Sequence, residues 1–156
     1  MKIMMLLVFT AGRDRYGIDV SEIVEVIPLV TTKATPHSPD YVAGLINYRG
    51  RVAPVIDMGA LIAGSPSREL LSTRIVIVDC AEPDVDNSLL GLLVEQATEI
   101  VRCDERQFQS AGVKSEEAGY LGSVLPDNKG IVQRISVKQI LPDSVRRSLF
   151  PPVEAR

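Results

Sequence analysis

The sequence predicts a mainly β fold built from two copies of a small barrel, and three observations point there. Apolar runs are short and β-branched, from residues 3–9 to residues 131–135, and clusters of Gly, Pro, Asp and Asn punctuate them. Two spacings recur: Gly17 to Glu25 and Gly91 to Glu99 are each eight residues, and Gly50 to Leu61 and Gly130 to Leu141 are each eleven. Closure into barrels also protects the strand edges that so many short strands would otherwise expose. The 156 residues suit one compact domain, over about 1–150, without disulfide staples. Within it the duplication predicts a first barrel half at about 3–63 and a second at about 73–142. A C-terminal helix at about 143–150 and a tail at 151–156 follow.

The elements follow in order. Residues 3–9 form a strand, since a seven-residue apolar run with no small-residue cleavage pattern behind it is too short and wrongly flanked for a signal segment. A turn at Ala11-Gly12-Arg13-Asp14 leads to a strand at 15–20, with Tyr16, Ile18 and Val20 on one face. Residues 21–27 open either as a helix capped by Ser21 or as strand, and β-branched content favours strand in the second half. Pro36 and Pro39 mark a loop at 31–40. Runs at 41–48 and 52–56, split at Arg49-Gly50, read as a hairpin. Asp57 caps a short helix, 58–62, that stops at Gly64.

In the second half, a polar connector at 64–72 precedes a strand at 73–79 that is apolar on both faces. A turn at 82–87 and strands at 89–95 and 98–102 come next, followed by a polar stretch, 104–119, that reads as a mobile loop. The last hairpin joins 120–125 to 131–135, Ser136 caps a short helix to Leu141, and Pro142 opens a final helix through Phe150.

Composition narrows function. A net charge of −3 and seven scattered aromatics argue against nucleic-acid binding, which needs a basic footprint or a stacking platform. No stretch reaches the ~20 apolar residues that cross a bilayer, so the reading is a cytoplasmic protein with no direct membrane insertion. Cys80 and Cys103 read as buried reduced thiols. The lone histidine, His37, reads as a solvated loop residue, and Asp84, Asp86 and Asn87 as a plain turn with too few ligands for calcium. No Gly-x-Ser-x-Gly elbow or phosphate loop is present, so neither catalytic residues, nor a metal, nor a cofactor is expected. What stands out is a polar knot, Asn47-Tyr48-Arg49-Gly50, at the tip of an oily hairpin. A guanidinium there needs acceptors, and Glu25 is the best carboxylate by topology. A structural ion pair, a solvated turn arginine and an interaction rim marked by Arg49 and Asn47 all fit that pattern.

The segment Gly44-Leu45-Ile46-Asn47-Tyr48-Arg49-Gly50-Arg51-Val52-Ala53-Pro54-Val55-Ile56-Asp57 resembles the G-x-x-N-x-R-G-x-x-x-P-x-x-D motif of CheW-type chemosensory coupling proteins. With Tyr16-Gly17-Ile18-Asp19-Val20 and Ile23-Val24-Glu25-Val26-Ile27, the resemblance runs over roughly residues 4–142. It implies two five-stranded SH3-like barrels with short helices, and a non-catalytic adaptor. The implied partners are the regulatory domain of a CheA-type histidine kinase and the cytoplasmic helical tip of a methyl-accepting chemoreceptor. In the family the groove between the barrels takes the receptor and the first barrel meets the kinase. Carried over by position, Glu25, Gly44, Asn47, Arg49 and Gly50 match family positions tied to receptor or kinase coupling, with Glu25 and Arg49 paired; Ile23 and Val24 beside them and Tyr48 within the motif complete the expected partner-binding set. Tyr48 departs from the usual leucine, and Gln133-Arg134 interrupts a strand that is usually apolar. Tyr48, Tyr120-Leu121-Gly122 and Leu149-Phe150-Pro151 are closer to couplers of Wsp-type surface-sensing pathways, which control a diguanylate cyclase response. A small β-barrel enzyme or ligand-binding domain is the alternative from another class.

Overall fold

The computed structural model describes residues 2–80, 87–112 and 118–150. Strands β1 (Ile3–Ala11) and β2 (Asp14–Asp19) form the first hairpin, and β3 (Ile23–Pro28) follows a short 3-10 turn. β4 (Val42–Tyr48) and β5 (Arg51–Asp57) form the second hairpin, after which Asp57 caps helix α1 (Met58–Ala63) and Gly64 ends it at φ 74°. β6 (Arg74–Asp79), β7 (Leu89–Asp104), the hairpin of β8 (Leu121–Asp127) and β9 (Gly130–Ile135), and helix α2 (Asp143–Leu149) complete the order.

The strands close into two five-stranded barrels. Barrel I runs β7–β1–β2–β9–β8 and uses the second half of β7. Barrel II runs β3–β6–β7–β5–β4 and uses the first half of β7. One isolated bridge closes each: Lys33 with Leu45 in barrel II, and Gln109 with Val124 in barrel I. The two barrels therefore interleave along the chain, whereas the expected halves, 3–63 and 73–142, were contiguous. Each half donates its first two strands to one barrel and its last three to the other.

Burial explains the exchange. Along β1, Leu6 and Val8 fill barrel I while Leu7 and Phe9 face a central core between the barrels. Along β6, Ile75 and Ile77 fill barrel II while Val76 and Val78 face that same centre, and Leu90, Leu92 and Val94 of β7 do likewise. Strands apolar on both faces need cover on both sides, and only the middle of the molecule supplies it. Past Glu95 the burial of β7 alternates: Val101 and Cys103 point into barrel I, Ala97 packs on the central core, and Ile100 is exposed.

Pairing also shows the duplication directly. Val8 faces Gly17 and Glu99 in barrel I, and Ile77 faces Gly91 and Glu25 in barrel II. A Cβ on Gly17 would meet Leu6 and Val132, and one on Gly91 would meet Ile75 and Val55, so both glycines admit the same close strand contact. The hairpins register one residue away from their glycines. Gly17 faces Arg134 and Gly91 faces Val55, which matches Tyr48 to Asp127 and Arg49 to Asn128.

Smaller differences have local causes. β7 is one 16-residue strand, not two, bent where Gln96 takes φ 52° and the register with β1 slips. Asp19, not Ser21, caps the turn before β3, because its carboxylate accepts from the Ser21 N–H. The Ser136 side chain makes no cap hydrogen bond at the last 3-10 turn. The stretch expected as a mobile loop from 104 starts tightly held, with a reciprocal Asp104–Gln107 cap and the Gln109 bridge. Residues 82–86, including Asp84 and Asp86, lie outside the described residues, as do 113–117 and the tail at 151–156.

Candidate partner-binding surface

The tip of the β4–β5 hairpin is a two-residue turn, Arg49-Gly50, with φ of 52° and 86°. Positive φ at both positions is the type I′ signature, which matches strand twist but favours Asn-Gly. The Asn47 side chain braces the turn by accepting from the Gly50 N–H at 2.7 Å. From this turn the Arg49 guanidinium reaches back to Glu25 on β3, at 3.0 Å between Nη2 and Oε1. The Tyr48 hydroxyl donates to that same Oε1 at 2.5 Å, and Arg49 Cζ lies 5.5 Å from the centre of the Tyr48 ring. Donation to the Glu25 carboxylate pushes the Tyr48 phenol above its ordinary pKa.

Magnitudes say what this knot is not for. The Arg49 side chain is 72% exposed and that of Glu25 36%, and ion pairs so placed contribute ~0–1 kcal/mol. Holding a non-glycine residue in the left-handed region costs about 1–2 kcal/mol. The arginine thus costs about as much stability as it returns, or more, and strain of this kind collects where a surface is used.

Barrel I carries a counterpart of different chemistry. Glu99, which occupies the place of Glu25, takes Lys129 at 2.9 Å and Arg15 at 3.0 Å, and Arg15 also holds Asp127 at 3.0 Å. The hydrogen bond from Lys129 holds the Glu99 carboxyl below its usual range, and that from Arg15 does the same for Asp127. Both Arg15 contacts are to carboxylates and its side chain is only 17% exposed, so this guanidinium is covered while Lys129 stays at the surface.

Apolar surface lies around both. Val24 and Val26 flank Glu25 on β3, and Val52 sits opposite Asn47; all three are exposed. Val26 pairs with Val76 and exposed Ile100 with Leu7. Since Val76 and Leu7 belong to the central core, these two side chains carry the inter-barrel apolar face out to the surface.

A family model described as the CheW-like domain matches residues 5–145. The chain belongs to the CheW-like domain family. It is 25% identical over 145 residues to "Chemotaxis protein CheW" of Rhizobium meliloti, covering 92% of this chain and 90% of that one. To the protein of the same name in Bacillus subtilis it is 25% identical over 149 residues, covering 94% and 92%. Among solved structures, the scaffolding protein CheW of Thermoanaerobacter tengcongensis superposes with a TM-score of 0.79 at 21% identity, covering 93% of this chain and 92% of that one. That likeness carries the fold: mainly β, in two small barrels.

On this CheW-like domain the expected residues fall into three groups. Glu25, Tyr48 and Arg49 are in mutual contact, and Asn47 and Gly50 shape the turn that presents them. Val24 is exposed beside them, while Ile23 turns its side chain against the central core. Gly44 is elsewhere: at φ 140°, a Cβ there would sit 2.3 Å from the Lys33 carbonyl oxygen, so it serves the bridge that closes barrel II. The Asp57 that ends the motif is buried and accepts from the Ala60 and Ser67 N–H groups and the Ser67 hydroxyl, tying α1 to the connector. Cys80 and Cys103 are both buried and His37 is exposed. Among the described residues no group of three or more His, Cys, Asp or Glu is placed to hold a metal ion, and no helix is long and apolar enough to cross a membrane. Sequence reasoning missed the Arg15–Glu99–Asp127–Lys129 cluster, although the eight-residue spacing that matches Glu99 to Glu25 points straight at it.

Proposed function

We propose that this CheW-like domain is a non-catalytic coupling adaptor of chemotaxis signalling, acting in the cytoplasm between a methyl-accepting chemoreceptor and a CheA-type histidine kinase. The observation that carries the reading is Arg49, exposed and held in a costly left-handed turn by Glu25 and Tyr48. Such an exposed arginine, with exposed Val24 on the Glu25 strand and exposed Val52 on its own hairpin, has the make-up of an interface anchor. Its partner is the regulatory domain of the kinase, docking on Ile23, Val24, Glu25 and the Asn47–Gly50 turn. Gly44 contributes indirectly, by letting β4 approach the Lys33 segment that closes barrel II. The receptor lays an apolar helix stripe along the inter-barrel face that Val26 and Ile100 bring to the surface. The names of the relatives support the role in chemotaxis.

Coupling needs no strong bond. Micromolar docking corresponds to about −8 kcal/mol, and repetition in an array adds effective concentration. The test is a binding titration of the purified chain against a CheA-type regulatory domain and against a receptor cytoplasmic fragment. The wild type is expected to bind both, Arg49→Glu and Glu25→Arg each to lose kinase binding by more than tenfold, and the double swap to regain part of it. A wild type that binds neither partner, or singles that bind as well as it does, overturns the proposal.

A further inference from the structure

We infer that Tyr48 is a positioning residue, which holds the Arg49 guanidinium in its outward pose before any partner arrives. The inference rests on the coupling reading above and names what makes that surface ready. The Tyr48 side chain is only 9% exposed and packs in the barrel II core with Ile46, Val55 and Leu93, so it offers a partner almost no area of its own. It nevertheless acts on Arg49 from two directions. Its ring lies beneath the guanidinium, and its hydroxyl holds the Glu25 oxygen on which Arg49 rests.

The other barrel shows what the position does when it is not a tyrosine. Asp127 takes the place of Tyr48 there, and an ionised carboxylate cannot donate to the neighbouring Glu99. Arg15 therefore bridges the two acids, and its guanidinium is committed and largely covered. In barrel II the tyrosine is a neutral donor. It satisfies Glu25 without a second cation, so the guanidinium of Arg49 meets one carboxylate and remains open to a partner. A pose fixed in the free protein removes ordering cost at the moment of docking.

The experiment compares wild type, Tyr48→Phe, Arg49→Lys and the double variant by calorimetric titration with a CheA-type regulatory domain. The Arg49 Nε–Hε NMR signal of the free protein is recorded alongside. Tyr48→Phe keeps the ring in the core, so its melting point should stay close to that of wild type. Its affinity should fall about five- to tenfold, the scale of the cost of ordering one long side chain on docking. The Arg49 signal should shift and narrow toward that of a mobile side chain with no partner present, a change that core packing alone does not produce. In the Arg49→Lys background the same phenylalanine should cost much less. If Tyr48→Phe binds as tightly as wild type, or weakens binding equally in both backgrounds, Tyr48 is not the positioning residue even though Arg49 still couples. If the wild type binds no kinase domain at all, the coupling reading fails and this inference with it.

Discussion

At the scale of residues, the molecule uses one acid in two ways. Glu25 and Glu99 hold equivalent places, yet one supports an open arginine and the other sits in a closed four-residue cluster. The closed cluster titrates. Arg15 and Lys129 hold the Asp127 and Glu99 carboxyls below their ordinary values of 3.8 and 4.5, so the folded state binds those protons less readily than the unfolded chain. Its stabilisation is therefore complete above about pH 4.5 and is lost as pH falls through the lower folded values. Arg15→Met should destabilise the protein at pH 7 in urea unfolding, and the gap to wild type should shrink below pH 3.8. A gap that is the same at pH 7 and pH 3 contradicts this account. The Arg49–Glu25 pair was legible because neighbouring strands of a small barrel lie side by side, which made Glu25 the best carboxylate for an arginine at the tip of an oily hairpin. The role of Tyr48 was hidden, since nothing in one chain tells whether a tyrosine at a strand end spends its hydroxyl on water or on a neighbour.

At the scale of elements, turn chemistry was the most legible feature and strand continuity the least. The Arg49-Gly50 hairpin and the Asp57-to-Gly64 helix follow from residues with only one good local use. The bend in β7 did not, because Gln96 and Ala97 read as a break, while in the molecule Gln96 tolerates φ 52° and the strand runs on across the junction. Gly44 is a second case: its value lies in contact with the Lys33 backbone, a segment eleven residues upstream. Gly44→Ala should expel that segment and open barrel II, at a cost of roughly 3 kcal/mol or more. For a domain of this size the melting point should then drop by roughly 6–12 °C. An alanine variant that melts within a degree of wild type shows that the backbone absorbs the clash and that this close approach is dispensable.

At the scale of the whole molecule, the duplication was readable and the exchange was not. Spacings along the chain repeat because the two halves place equivalent residues on equivalent strands, Gly17 matching Gly91 and Glu25 matching Glu99. Which half a strand pairs with depends on where two apolar faces can both be covered, a property of the assembled core that no window of sequence contains. The consequence bears on coupling. β7 runs through both barrels, so a partner on barrel II pulls on a strand whose other end is hydrogen-bonded in barrel I. On the proposed reading, a receptor on the inter-barrel face and a kinase on the hairpin would meet one continuous sheet, and a small bias of about 1–3 kcal/mol between them would suffice for signalling. The most direct measurement reconstitutes a CheA-type kinase with a receptor cytoplasmic fragment and follows kinase autophosphorylation with and without this protein. The account predicts that the receptor changes the rate only when the wild-type chain is present, and that Arg49→Ala, folded and monomeric, fails to confer the change. A kinase equally responsive without the chain, or equally responsive with Arg49→Ala, would contradict it.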